Sequence, residues 1–388
     1  MVIRTTIALV LLAVLAACGS STAAPAATAR APGGTVPSAG ATPAAAPTQA
    51  LTPPGIPSTG FPLVTTALDG LIVYNNGDGD IYTLQPRPGA KAQRVIAASD
   101  NKGFLQEPVW SPDGKRIAYS YLLPFDTSGL PAQDILVANA DGSSPQTIIA
   151  HKVAGEVFTW PVYSPDSRLI YYAHSNPIFN SSKQITGVTL TLEQYDTQTK
   201  KTTTVIKDGT QPDVSPDGKR LAYVKIDPDT FQQDLMVVDI NGKNLTQVVA
   251  GNSTGGGING PRWSRDGKQI LFGAPNFFAS LRPRPSRIAT AQSSDPLARV
   301  MGWVTSWFAA GVAEAHGPPW DLWVVDADGQ NMKRLTEIGE DDPSPAWSPD
   351  GKNIAFVGLA GFYITNAAGK DVHWVMREGG RGRVDWKK

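Results

Sequence analysis

The chain has one cysteine, Cys18, in 388 residues, so it cannot close an intramolecular disulfide. It also lacks net charge. Its 34 Lys and Arg are matched by 34 Asp and Glu, which excludes the basic footprint that nucleic-acid binding needs. Histidine is scarce: His151, His174, His316 and His373 lie too far apart for any metal-ligand spacing. Long apolar runs are missing except for Ile7 to Ala17, which is too short to span a bilayer as a helix.

Glycine (38) and proline (32) are plentiful, and many of them sit in one recurring phrase. Trp110-Ser-Pro-Asp-Gly114 returns as Tyr163-Ser-Pro-Asp-Ser167, Val214-Ser-Pro-Asp-Gly218, Trp263-Ser-Arg-Asp-Gly267 and Trp347-Ser-Pro-Asp-Gly351. The spacing is roughly 50 residues with one stretched interval, the range of solenoids, propellers and arrays. Ser-Pro-Asp-Gly is a tight turn: proline presets φ at the second position, Asp suits the third, and Gly releases the chain at the fourth. Alternating stretches such as Lys115-Arg-Ile-Ala-Tyr-Ser120 and Lys352-Asn-Ile-Ala-Phe-Val357 follow it, the period of a packed strand. A third strand then ends in an Asp-Gly or Asn-Gly turn, as in Asp321-Leu-Trp-Val-Val-Asp-Ala-Asp-Gly329, and a short fourth closes the unit, as in Lys333-Arg-Leu-Thr336. Four antiparallel strands per repeat make the blade of a β-propeller.

These repeats resemble those of TolB-type (PD40, WD40-like) propellers over roughly residues 68–388. The resemblance implies association with the cell envelope and contacts with other proteins. The chain departs from TolB proper where a Pro/Ala-rich tether occupies the place of an N-terminal globular domain, which argues against a Tol–Pal role. The first unit, Leu71-Ile-Val-Tyr74 onward, lacks an inner strand, and Gly382-Arg-Val-Asp-Trp386 reads as that strand, its Trp386 about 39 residues after Trp347. The expected fold is therefore all-β: a six-bladed propeller of four-stranded antiparallel blades over residues 61–388. The C-terminal strand closes it, and a helical insertion at about 274–320 interrupts blade five.

Arg4 ahead of the apolar run gives residues 1–18 the form of a secretory signal. Leu15-Ala-Ala-Cys18 resembles a bacterial lipobox, which implies lipid attachment at Cys18. Residues 19–60 are mostly Ala, Pro, Thr, Ser and Gly with Arg30 as their single charge, a composition that forms no core. The expected product is a monomeric, extracytoplasmic lipoprotein held at a membrane by its anchor.

In the insertion, Arg282-Pro-Arg-Pro-Ser-Arg287 precedes a segment in which Asp295 and Pro296 suit a helix start. Leu297, Val300, Met301, Val304, Trp307 and Phe308 follow helical spacing and form one apolar stripe, with Trp303 off it. The stripe packs on the propeller, presents Trp303, Trp307 and Phe308 to a partner, or dips into a membrane. Two weaker motifs carry no chemistry: Gly251-Asn-Ser-Thr-Gly255 is not followed by a helix, and Asn75-Asn-Gly-Asp-Gly-Asp80 lacks the distal Glu of a calcium loop. No metal or cofactor is expected.

The inner strands share Pro-x-aromatic patterns that place Glu107, Asp213, Arg262 and Asp385 toward a central channel, open to a ligand or to water alone. The resulting expectation is a non-catalytic binding scaffold for an envelope protein, peptide or glycan. The alternatives are a propeller lyase or hydrolase working at the channel mouth, and a solute-sensing or structural module.

Overall fold

The structure, a computed structural model, describes residues 60–98, 103–124, 128–182, 185–228, 230–255, 257–275, 319–340, 342–358, 360–380 and 382–388. Its strands begin with β1 (Leu71–Asn75), β2 (Ile81–Leu84) and β3 (Gln93–Ile96). Next come β4 (Phe104–Trp110), β5 (Arg116–Leu122), β6 (Gln133–Asn139) and β7 (Gln146–Ile149). A longer set follows: β8 (Val157–Tyr163), β9 (Leu169–Phe179), β10 (Ile185–Asp196) and β11 (Thr202–Lys207). Then come β12 (Gly209–Val214), β13 (Arg220–Ile226), β14 (Gln233–Asp239) and β15 (Thr246–Val249). The remainder are β16 (Asn259–Trp263), β17 (Gln269–Pro275), β18 (Trp320–Asp326), β19 (Lys333–Arg334), β20 (Ser344–Trp347), β21 (Asn353–Gly358), β22 (Gly361–Asn366), β23 (His373–Met376) and β24 (Val384–Lys387).

The strands build an all-β propeller of four-stranded antiparallel blades. Four sheets stand alone: β24-β1-β2-β3, β12 to β15, β16 to β19 and β20 to β23. The other eight strands form one sheet, which corrects the expectation of six separate blades. Two four-strand meanders, β4–β7 and β8–β11, are joined there by one parallel register pair, Gln133 with Val157, where the loop between them brings β8 alongside β6. These two meanders are called the second and third units below, and the sheet containing β24 and β1 the first. The predicted helix around Asp295–His316 lies outside the described residues, among which the only helix is a 3₁₀ turn at Gly251–Thr254.

The repeated phrase folds as its chemistry dictates. Gly114 N–H donates to the Ser111 carbonyl at 2.8 Å, closing the turn. Ser111 Oγ donates to Asp113 Oδ1 at 2.5 Å and accepts from Arg116 N–H at 2.9 Å, while Asp113 Oδ1 accepts from Lys115 N–H at 3.1 Å. Ser164, Ser215, Ser264 and Ser348 repeat the arrangement with Asp166, Asp217, Asp266 and Asp350. Gly114, Gly218, Gly267 and Gly351 sit at φ between 67° and 71°, where glycine is unstrained; Ser167 takes the same place at φ 61°.

A second repeated carboxylate ties the third strand to the far end of the fourth in four of the six units. Asp80, Asp134, Asp234 and Asp321 accept from the backbone N–H of Ala98, His151, Gly251 and Ile338 at 2.7 to 2.9 Å. The recurring aromatics fill the seams between neighbouring units. Trp110 packs with Val73 and Ile81 of the first unit, and Trp386 packs with Ala346 and Val357 of the β20–β23 sheet. The C-terminal strand pairs with β1 from Leu71–Lys387 to Tyr74–Val384, so the first unit is completed by the last residues of the chain.

Candidate functional site at the ring centre

The first strands of the units touch in the cyclic order β4, β8, β12, β16, β20, β24 and back to β4. Four of them break their pairing near the middle: the register slips between Gln106 and Val109, Thr159 and Val162, Thr210 and Asp213, and Asn259 and Arg262. Within each slip one residue is left-handed, namely Glu107, Trp160, Gln211 and Gly260, at φ 52° to 57°. A bulge of this kind leaves backbone groups without ladder partners, and buried groups of that sort must be satisfied elsewhere.

Side chains of the preceding unit satisfy two such N–H groups, of Trp160 and Gly260, and two more just past a slip, of Trp263 and Trp110. Glu107 Oε2 accepts from Trp160 N–H at 2.6 Å and from Ser120 Oγ at 2.7 Å. Gln211 Oε1 accepts from Gly260 N–H at 2.6 Å. Asp213 Oδ2 accepts from Trp263 N–H, and Asp385 Oδ2 from Trp110 N–H, both at 2.8 Å. Each is a stitch from one unit to the next.

Two arginines cross the middle. Arg262 Nε donates to the Pro345 carbonyl at 3.1 Å, its Nη2 to the Val384 carbonyl at 3.0 Å, and its Nη1 lies 3.5 Å from Asp213 Oδ1. Arg383, fully buried, donates from Nη1 to the Pro161 carbonyl at 2.7 Å and places Nη2 at 3.8 Å from the same Asp213 oxygen. Its guanidinium lies 5.9 Å from the Trp160 ring. A third arginine, Arg265, stands where the other phrases have proline. It donates to the carbonyls of Ser348, Trp347 and Trp386 at 2.9 to 3.1 Å.

Burial dominates the electrostatics. It pushes the Glu107 carboxyl up to about 7, against the lowering effect of the Trp160 and Ser120 bonds and the charge of Arg383. Burial also raises Asp213, opposed by Arg262 and Arg383. Burial brings Arg383 down to about 9, and the like charge of Arg262 acts in the same direction.

Of the residues that sequence places toward a channel, Asp213 pairs with Arg262, and Glu107 and Asp385 bond the N–H groups of Trp160 and Trp110. The structure adds Arg383, Gln211 and Arg265, which sequence reasoning missed although the signal was present. Arg383 stands three residues before Trp386 as Glu107 stands three before Trp110, and Arg265 is a departure from the repeated phrase. Cys18, Trp303, Trp307 and Phe308 lie outside the described residues.

A second polar cluster is buried at the start of the third unit. His174 faces Glu193 Oε1 through Nδ1 at 2.9 Å and Glu156 Oε1 through Nε2 at 3.0 Å. Tyr172 donates to Glu193 Oε2 at 2.8 Å, and the Lys152 N–H donates to Glu156 Oε2. The two ring nitrogens point in opposite directions, so these carboxylates do not converge on one ion. Among the described residues no group of three His, Cys, Asp or Glu side chains is placed to hold a metal. Nor, among them, is any helix long and apolar enough to cross a membrane. His151 bonds Asp134 at 2.7 Å and His373 bonds the Asp371 carbonyl at 2.7 Å, while His316 lies outside the described residues.

No family model matches the chain. Among curated proteins it is similar to the "uncharacterized peptidase YuxL" of Bacillus subtilis, 30% identical over 207 residues that cover 51% of this chain and 29% of that protein. It is also similar to the Tol-Pal system protein TolB of Alcanivorax borkumensis, 38% identical over 74 residues, 18% of this chain and 17% of that one. The chain spans under a third of the length of either relative. Among solved structures, TolB from Acinetobacter baumannii superposes with a TM-score of 0.54 at 17% identity, covering 82% of this chain and 66% of that chain. With the strand pairing above, these likenesses make the described part of the chain a TolB-like propeller.

Proposed function

We propose that the chain is a lipid-anchored extracytoplasmic scaffold whose propeller, a ring of six four-strand units, binds a protein, peptide or other envelope component without catalysis. Cys18 carries the lipid, and residues 19–60 form the tether, whose frequent prolines favour extended conformations. The insertion at about 274–320, with Trp303, Trp307 and Phe308, contributes part of the binding surface.

One observation carries this reading. The polar side chains that meet at the ring centre are already held by the neighbouring units: Glu107 by Trp160 N–H, Asp213 by Trp263 N–H, and Arg383 by the Pro161 carbonyl. A reacting group needs freedom to meet substrate, and these groups serve as structural bonds. The outer surfaces then carry the function, as the resemblance to TolB-type propellers implies. The rival is a hydrolase of the kind suggested by the peptidase-named relative, which exceeds this chain in length.

The test is chemical cross-linking of the membrane-bound chain followed by co-purification, compared with a deletion of residues 275–319 and with Cys18→Ala. A discrete partner that is lost on deletion, and release of Cys18→Ala from the membrane fraction, are the expected results. Membrane retention of Cys18→Ala would remove the anchor from the reading. Hydrolysis of a peptide or glycan panel that is abolished by a ring-centre substitution sparing the fold would replace scaffold with enzyme.

A further inference from the structure

The third unit differs from the others in having a β9–β10 hairpin that outruns its neighbours. The outermost strand β11 pairs with β10 only from Thr191 to Tyr195, and β8 pairs with β9 only as far as Ser175. Beyond those points Asn176–Phe179 and Ile185–Thr189 pair with each other and with no other described strand. Asp208 N–H donates to the Leu190 carbonyl at 2.7 Å, which fixes the backbone of Leu190 toward the β11 side. By strand alternation the N–H and carbonyl of Val188 face the same way, past the end of β11, onto an open edge. Thr186, the extra residue where the register slips between Ile185 and Gly187, also lacks a partner across the strand.

This edge carries apolar side chains and none of the usual guards. Val188 is 43% exposed, Phe179 40% and Ile178 46%. Val188 is paired with Pro177 and Ile185 with Phe179, so these four share one face. Residues 185–190 contain no proline and no charge, and residues 175–192 contain no carboxylate, Lys183 being their single charge. Three other outer strands are protected: β3 by Arg94, β19 by Lys333 and Arg334, and β23 by the chain itself, while β7 and β15 are short. Gly60 to Val64 lie along β23: Val64 N–H donates to the Trp374 carbonyl at 2.9 Å, and Trp374 N–H to the Pro62 carbonyl at 2.8 Å. The molecule thus already covers part of one outer edge with backbone hydrogen bonds from an extended segment of the chain.

We propose that the open edge of β10, at residues 185–189, takes an extended polypeptide segment by strand addition. The segment has alternating apolar side chains that lie on Val188 and its neighbours. This names the partner class for the scaffold reading and rests on it. A bilayer is the poorer occupant, because the unpaired backbone of this ribbon would be left unsatisfied in hydrocarbon.

The probe is a ten-residue peptide of alternating valine and threonine with two terminal glutamates, beside its analogue N-methylated at every second residue. Both are added to the full chain while amide hydrogen exchange is followed. The plain peptide is expected to slow exchange at Thr186 and Val188 about tenfold at saturation and the methylated one to leave it unchanged. Val188→Pro, which removes the edge N–H, and Val188→Lys, which keeps the backbone but guards it, should each weaken binding about tenfold. Circular dichroism identifies a misfolded variant, in which case the other one decides. Absence of protection at saturating peptide, equal effects of both peptides, protection by phosphatidylglycerol vesicles alone, or protection that rises with chain concentration alone would each overturn the proposal. The scaffold reading would survive any of these if cross-linking still captured a partner elsewhere on the propeller.

Discussion

Asp385 and Asp213 show what one side chain contributes to this fold: each supplies the acceptor for a backbone N–H on the first strand of the next unit, Trp110 and Trp263, that faces away from its own ladder. Asp385→Ala should cost about 1–3 kcal/mol in denaturant unfolding, because the Trp110 N–H stays buried without a partner. Ser167 presents the opposite case, a non-glycine residue at φ 61° where four sibling turns carry glycine. Ser167→Gly is expected to stabilise by about 0.5–1 kcal/mol, relief of strain outweighing the added entropy of the unfolded chain; an unchanged denaturation midpoint would count against the strain.

Glu107 makes stability depend on pH. Burial raises its folded value from 4.5 to about 7, so its contribution is fully present below about 4.5 and is lost as pH rises through 7. The turn carboxylates Asp113, Asp166, Asp217, Asp266 and Asp350 are lowered, first by their serine hydroxyls. Their contribution runs the other way: present above about 4 and lost only in acid. Asp213 is raised too, so melting curves between pH 5 and 8 separate these buried carboxyls from the turns, and the Glu107 share is read by substitution. Glu107→Gln should flatten the decline seen in the parent chain, and identical slopes would refute the assignment.

At the scale of elements, the C-terminal strand does the most. It pairs with β1, brings Trp386 into the seam with the β20–β23 sheet, and delivers Arg383 and Asp385 to the ring centre. Deleting residues 382–388 removes all of these at once. The loss should exceed about 4 kcal/mol and lower the melting temperature by roughly 10 °C, unlike removal of a frayed tail. The same logic explains the eight-stranded sheet. One parallel pair, Gln133 with Val157, merges two meanders whose own pairing follows the repeat.

For the whole molecule the ring centre is the common node. Arg383 links the first unit to the Pro161 carbonyl in the third and to Asp213 on β12, so one residue spans strands 222 positions apart in sequence. Arg383→Met should cost about 1–3 kcal/mol, since it leaves the buried Pro161 carbonyl without its donor and Asp213 with Arg262 as its remaining counter-charge. The loss should change little between low and high salt, because a buried pair is poorly screened. A strong salt dependence would place Arg383 in solvent contact instead.

The repeated phrase was sufficient by itself to determine the blade, its turns and the completing role of Trp386. Those features depend on local chemistry: proline and glycine at set turn positions, Ser and Asp bonding their own backbone, and period-2 alternation. The inner-strand placement of Asp213, Arg262 and Asp385 was legible for the same reason, since each directly precedes the residue that opens the repeated phrase or, for Trp386, matches it, while Glu107 stands three before Trp110. What these residues do was decided only in three dimensions. The inner-strand bulges freed backbone N–H groups, and closing the ring brought side chains of adjacent units within bonding distance of them. The fusion of two meanders into one sheet and the open edge of the long hairpin likewise depend on neighbours that sequence periodicity does not specify, because pairing across units is set by where the ring brings strands together.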